Sequence, residues 1–249
     1  MLSVPTQDKI RELKLHGMLK ALEEQLTDKS SYEDLGFEER LGLLVDRELT
    51  EQDNHRLSTR LKAAGLNQSA CMENIDFTPS RGLDRSLIKK LGVGQWINDH
   101  LNILVTGPCG SGKSFVSDAL AHKGCLLGHT AFKIRAPKMF MDIALAKNDG
   151  QYKKIMRTLT KARVLIIDDW GLSTLNDGQR QDFLEIIEAR HNVGSTIITS
   201  QLPVKHWHEA IGNATFADAI LDRLIHNAYT IELNAEESMR KASGKKRLQ

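Results

Sequence analysis

The chain has 249 residues, a formal net charge of +2, and is 27% charged and 41% hydrophobic. That length accommodates an ordinary domain plus a smaller one, each with a real core, and the near-neutral total excludes a chain that is basic or acidic throughout. No apolar stretch approaches the ~20 residues that span a bilayer, no secretion-signal layout opens the chain, and Cys71, Cys109 and Cys125 lack disulfide or metal spacing, so the expectation is a cytoplasmic protein with reduced thiols and no membrane partner.

Residues 6 to about 66 carry no strand signal and repeat apolar residues at helical spacing: Ile10, Leu13, Leu15, Leu19, Leu22 and Leu26, then Leu41, Leu44, Val45, Leu49, Leu57 and Leu61. This predicts a small all-α domain over 1–70, with breaks at Asp28 to Ser31, Gly36 and Gly65. The aperiodic stretch that follows, with Pro79, is expected to be a linker over 71–85, leaving 86–249 as the second domain. From Leu101 onward, short β-branched runs alternate with amphipathic stretches, the signature of a parallel sheet with crossover helices. Five strands are predicted, Asn102 to Thr106, Thr130 to Ile134, Val164 to Asp168, Thr196 to Ser200 and Tyr229 to Leu233. Helices are expected over Pro137 to Lys147, Asp177 to Asn192 and Thr215 to Asn227.

The octet Gly107-Pro108-Cys109-Gly110-Ser111-Gly112-Lys113-Ser114 follows the first strand and leads into a helix-like stretch that runs from Ser114 and Phe115 to Ala121. It fits the phosphate-binding loop pattern without a mismatch, so ATP is the expected ligand. Its glycines let backbone N–H groups and the positive end of the next helix face the phosphates. Lys113 would reach the β and γ phosphates and the Ser114 hydroxyl would ligate Mg2+, with Cys109 a filler at a variable position.

The third strand ends in Asp168 and Asp169. The first acid is expected beside the magnesium, the second to orient or deprotonate the attacking water, a role that relatives more often give to glutamate. The fourth strand ends in Thr199-Ser200-Gln201, where Gln201 or Thr199 is the candidate γ-phosphate sensor. Arg223 interrupts an apolar helical stretch and needs an anion, either a carboxylate of the same chain or the γ-phosphate of a neighbouring subunit. His206 and His208 lack cysteine or carboxylate partners at ligand spacing and read as structural.

Taken together, Gly107 to Ser114, Leu165 to Gly171, Thr196 to Pro203, His206-Trp207-His208-Glu209 and Asp222-Arg223-Leu224 resemble the IstB-type transposition helper ATPases of insertion sequences. Those proteins are similar to the DnaC and DnaI helicase loaders of the AAA+ class. The helical amino terminus, with Leu13 to Met18 and Arg60 to Leu66, looks like that family too. The resemblance implies an α/β AAA+ P-loop NTPase with a five-stranded parallel sheet, preceded by a small all-α domain. AAA+ proteins add a helical lid after the sheet, and the residues after the last predicted strand, which ends at Leu233, are too few for a full carboxy-terminal lid. It implies a cognate transposase and duplex DNA, bound largely without sequence preference, as partners. It also implies homo-oligomers formed through the ATP sites, with ATP hydrolysis driving disassembly. By the same resemblance Lys113 and Ser114 contact triphosphate and Mg2+, Asp168 and Asp169 are the strand-end acids, Gln201 is the sensor and Arg223 the finger in trans. Arg240 stands nearest to a second sensor.

Charge is distributed unevenly along the chain. Residues 1–67 hold ten basic and thirteen acidic side chains, whereas Phe132 to Arg163 holds nine basic ones against Asp142 and Asp149. Lys133, Arg135, Lys138, Lys153, Lys154, Arg157 and Lys161 are therefore the candidate DNA contacts, of a kind that neutralises phosphates and carries no base information. A DnaC-like helicase loader is the close alternative, and a P-loop small-molecule kinase is the alternative from another class. Against the kinase stand the paired strand-end acids and the absence of an arginine-rich lid.

Overall fold

The computed structural model describes residues 3–234, so Arg240 lies outside the described residues. The chain divides into two compact units, the first running to Thr59 and the second starting at Arg60. The first unit holds α1 (Ser3–Glu12), α2 (His16–Thr27) and most of α3 (Phe37–Ala64). Within it, the nearly buried Glu48 carboxylate accepts the backbone N–H groups of Gly17 and Met18 at 2.8 and 3.0 Å, satisfying donors that a helix start leaves free. Gly17 is a position without room, since a Cβ there would lie 2.6 Å from the Arg47 carbonyl oxygen.

The division falls earlier than the expected boundary at Cys71, and the stretch 71–85 is not a free linker. Ala64 and Ala70 are fully buried. Arg60 donates to the Cys125 carbonyl, the Asn67 N–H donates to Asp118, and Arg81 donates to the Ser111 carbonyl, all inside the second unit. Loss of helical periodicity marked the end of regular structure there, not the end of packing.

The second unit continues through α4 (Arg85–Gly92), the short α5 (Gln95–Asn98), β1 (Asn102–Thr106), α6 (Lys113–Leu126), β2 (Ala131–Arg135), α7 (Ala136–Asn148), α8 (Tyr152–Lys161), β3 (Val164–Trp170), α9 (Asp177–Arg190), β4 (Ser195–Ser200), the short α10 (Trp207–Ile211), α11 (Ala214–Ile225) and β5 (Ala228–Glu232). The five strands form one sheet in the order β2-β3-β4-β1-β5, with every pair parallel. All residues of β1 and β4 are buried, as a sheet covered on both faces requires. One face carries Leu104, Leu165, Ile167 and Ile198 into a core with residues of α7, α9, α10 and α11. Side chains alternate along a strand, so Ile103, Val105 and Ile166 point the other way, toward the side on which α6 packs.

The third strand runs two residues past its expected end. Its register against β4 shifts between Ile167 and Trp170, and Asp169 adopts a left-handed φ of 58°. One extra residue is accommodated there as a bulge, which lets Trp170 take the core position, stacked on Phe183 at 4.3 Å between ring centroids. Burying such a side chain contributes roughly 2–3 kcal/mol, enough to hold a backbone conformation that costs about 1–3 kcal/mol.

Candidate nucleotide site

The glycine loop joins β1 to α6 at the carboxyl ends of the strands, where open α/β sheets bind ligands. Gly107 has φ 146°, and a Cβ on it would meet the Leu233 carbonyl oxygen at 2.3 Å; only glycine lets the chain pass. Lys113 opens α6 and is nearly buried, its ammonium donating to the Gly107 and Pro108 carbonyls at 2.8 Å each. The loop is thus closed on a charged group that suits phosphate oxygens. Ser111 is buried and its hydroxyl lacks a protein partner among the described residues. Pro108 and Cys109 are exposed, while Gly110, Gly112, Ser114 and Phe115 are half-buried.

Behind the loop lies Arg81, which the sequence did not single out. It is 5% exposed, donates to the Ser111 carbonyl at 2.8 Å, and burial pushes its pKa down. Its place in an aperiodic segment concealed it, and only the tertiary fold brings that segment against the phosphate loop.

Asp168 is the last of the five consecutive buried residues that open β3, and it lies on the α6 side. Its Oδ1 accepts from Ser114 Oγ at 2.9 Å and, through a short bond, from Thr199 Oγ1. Burial pushes the carboxyl up, but the Thr199 and Ser114 hydrogen bonds and the Lys133 ammonium outweigh it, and the net shift is downward. Thr199 also accepts the Asp169 N–H at 3.1 Å. One fully buried hydroxyl therefore fixes both acids, and of the two sensor candidates it is Thr199 that meets them; Gln201 follows the strand end and is exposed. The Asp169 carboxylate is gripped by Arg135, with Nε and Nη2 each 2.8 Å from Oδ2.

Ser114 Oγ and the Asp168 carboxylate converge as hard oxygen donors, the chemistry that suits Mg2+. No cluster of three or more His, Cys, Asp or Glu side chains able to hold a metal occurs among the described residues. An ion bound at this pair would keep water and phosphate oxygens as its other ligands, as Mg2+ ordinarily does. His206 and His208 pair instead with Glu209 and Asp218.

Arg223 finds an anion in its own chain, its Nη2 lying 3.1 Å from Glu188, and it also donates to the Ala219 carbonyl. Its carbonyl accepts from Asn102, the first residue of β1. The guanidinium therefore belongs to the end of the sheet opposite the phosphate loop.

The basic segment separates into two groups. Lys133 is 16% exposed and pairs with Asp118 and Asp168, Arg135 is committed to Asp169, and Lys138 bonds Asp142 one helical turn away. Lys133 is thereby corrected from a surface cation to an internal one: β2 alternation turns its side chain toward α6, which linear charge counting cannot register. Lys153, Lys154, Arg157 and Lys161 are exposed on α8, whose Met156 and Leu159 are buried.

A family model described as IstB-like ATP binding protein matches residues 8–247. An insertion sequence ATP-binding protein of Sinorhizobium fredii is 48% identical over 240 residues, covering 96% of this chain and 98% of that protein. The insertion sequence IS1162 ATP-binding protein of Pseudomonas fluorescens is 44% identical over 204 residues, covering 82% and 88%. Among solved structures, DnaI matches with a TM-score of 0.58 at 18% identity, over 73% of this chain and 99% of that one. The DnaC helicase loader matches at 0.55 and 17%, over 67% and 97%. Those two establish the AAA+ P-loop fold. With the phosphate loop, the paired acids and a match that runs through both units, the chain belongs to the family of IstB-like ATP binding proteins.

Proposed function

We propose that the protein is an ATP-dependent DNA-binding helper of transposition, which multimerises on target DNA, selects or remodels it and stimulates a partner transposase, with hydrolysis driving disassembly. In this reading Lys113 and the loop from Gly107 to Phe115 hold ATP, Ser114 and Asp168 hold Mg2+, and Asp169 activates the attacking water. Thr199 orients the two acids, with Gln201 beside the γ-phosphate, and Arg223 of one subunit reaches the ATP of the next. The Mg2+ would supply charge neutralisation at the phosphates.

The observation that carries the reading is the separation of Arg223 from its own phosphate loop. The Asn102 side chain donates to the Arg223 carbonyl at the start of β1, while the loop begins at its end, after Thr106. Five strand residues span ~17 Å, too far for an arginine to serve its own γ-phosphate. The arginine can complete a site only in a second copy. The names of the relatives, insertion sequence ATP-binding proteins, support the transposition context.

Particle size should be measured with and without ATP and duplex DNA of arbitrary sequence. The reading expects multimers only when ATP is present, larger and more persistent on DNA, and stabilised further by Asp169→Asn, which blocks hydrolysis without removing the nucleotide. A monomer under all conditions sinks it. The similarity to DnaC and DnaI favours one rival, a helicase loader; stimulation of the strand transfer of the element's own transposase, with no effect on loading of a replicative helicase, decides between them.

A further inference from the structure

Two charged side chains beside the nucleotide site have no part in the functions above. Lys133 lies on β2 and Asp118 on α6. Lys133 pairs in register with Ile166, and Arg135 with Asp168, so both basic residues face the α6 side of the sheet. There the Lys133 ammonium straddles the Asp118 carboxylate, 2.8 Å from Oδ1 and 2.9 Å from Oδ2, and lies 3.4 Å from Asp168 Oδ2. The Asp118 side chain is 2% exposed and its Oδ2 also accepts the Asn67 N–H at 3.1 Å. A buried ion pair with its positive end on a prospective metal ligand is therefore built into the site.

We propose that Lys133 is an internal cation that competes with the divalent cation for Asp168, and that Asp118 restrains it, so that the pair sets the Mg2+ concentration at which the site loads. The inference rests on the reading of Ser114 and Asp168 as the metal-holding pair. Its sign follows from what else holds Asp168. Ser114 and Thr199 both fix Oδ1, so the carboxylate keeps its orientation whether or not the ammonium is present. What Lys133 contributes is charge: a positive group in contact with Oδ2 opposes any second cation brought to the same carboxylate, and burial keeps that opposition from being screened away. Asp118 draws the ammonium back and neutralises part of its field.

Two substitutions then act in opposite directions. Asp118→Asn leaves the ammonium with Asp168 as its sole anionic partner of the two, so more Mg2+ is needed. Asp118→Asn combined with Lys133→Gln removes the pair while keeping a donor and an acceptor in place, so less is needed.

The test is a Mg2+ titration of full-length protein with a fluorescent, non-hydrolysable ATP analogue, reading the midpoint for tight nucleotide binding, with a thermal melt of each variant. Relative to wild type, the midpoint should rise at least about threefold in Asp118→Asn and fall at least about threefold in the double variant, the size expected of one partly screened unit charge. Melting temperatures lowered in both variants with midpoints unchanged would mean that the pair only ties β2 to α6, and overturn the proposal. Midpoints moving in the same direction overturn it as well. If the double variant does not fold, the rise in Asp118→Asn alone decides. A wild type that binds the analogue with no dependence on Mg2+ refutes the metal reading and this inference with it, whereas a dependence present in wild type and unaltered in the variants refutes this inference alone.

Discussion

At the scale of single residues, the nucleotide site turns on Thr199. Its hydroxyl is fully buried, donates to Asp168 and accepts from the backbone of Asp169, so it ties together the two acids, the second of which is the left-handed residue at the β3 bulge. Thr199→Val keeps the volume and removes the hydroxyl, leaving a partly buried N–H unpaired and one carboxylate oxygen short of a donor. The expected outcome is a loss of about 1–3 kcal/mol in denaturant unfolding, with ATP binding retained and hydrolysis strongly reduced. Unchanged hydrolysis in a folded variant would remove Thr199 from the functional machinery. The sequence made the acids, the loop and Thr199 visible because their types and spacing carry chemistry. It did not make visible the grip of Arg135 on Asp169, or the position of Arg81 behind the loop, because both arise where segments far apart in the chain meet.

At the scale of elements, α8 went unrecognised from the sequence although Tyr152, Ile155, Met156 and Leu159 carry helical spacing. Its ten residues are so rich in lysine and arginine that charge obscured the narrow apolar stripe. What anchors its end is Arg190, 1% exposed, whose guanidinium donates to the carbonyls of Leu159, Thr160, Ala162 and Ser195 and to the Thr196 hydroxyl. Burial pulls its pKa down to about 9, still above neutral pH, so the group stays charged and caps the last carbonyls of α8. Arg190→Leu should cost at least about 3 kcal/mol, because several buried acceptors lose their donor at once; urea unfolding measures it, and a loss under about 1 kcal/mol would mean that water replaces the guanidinium.

The outer side of the same helix bears on DNA. Lys153, Arg157 and Lys161 recur every four residues, Lys154 lies beside them, and all are exposed. If this stripe neutralises phosphates, replacing Lys153, Arg157 and Lys161 by alanine should weaken binding equally for unrelated duplexes and flatten the dependence of log K on log salt by roughly 0.9 for each phosphate no longer neutralised. Binding measured at several salt concentrations tests this, and an unchanged slope would assign DNA to another surface.

At the scale of the whole molecule, the length of the sheet separates the groups proposed to act on ATP. The phosphate loop, the two acids and Thr199 gather at the carboxyl ends of the strands, whereas Arg223 is held at the start of β1 and paired with Glu188. The parallel α/β architecture was legible from alternating β-branched and amphipathic runs. The end of the sheet at which Arg223 would emerge was not, because that depends on strand order and on how α11 returns to β5. Because the pair with Glu188 is partly exposed to water, it is worth little on its own, and a γ-phosphate presented by a neighbouring copy competes for the guanidinium at small cost. Arg223→Ala should therefore bind ATP normally and hydrolyse it poorly, as should Asp169→Asn, each being defective in a different half of a shared site. Mixed in equal amounts, the two variants form some interfaces in which the acid comes from an Arg223→Ala chain and the arginine from an Asp169→Asn chain. ATP turnover of the mixture should then exceed that of either variant alone. If the mixture is no more active than the average of its components, Arg223 does not act across a subunit boundary, and Glu188 is its only functional anion.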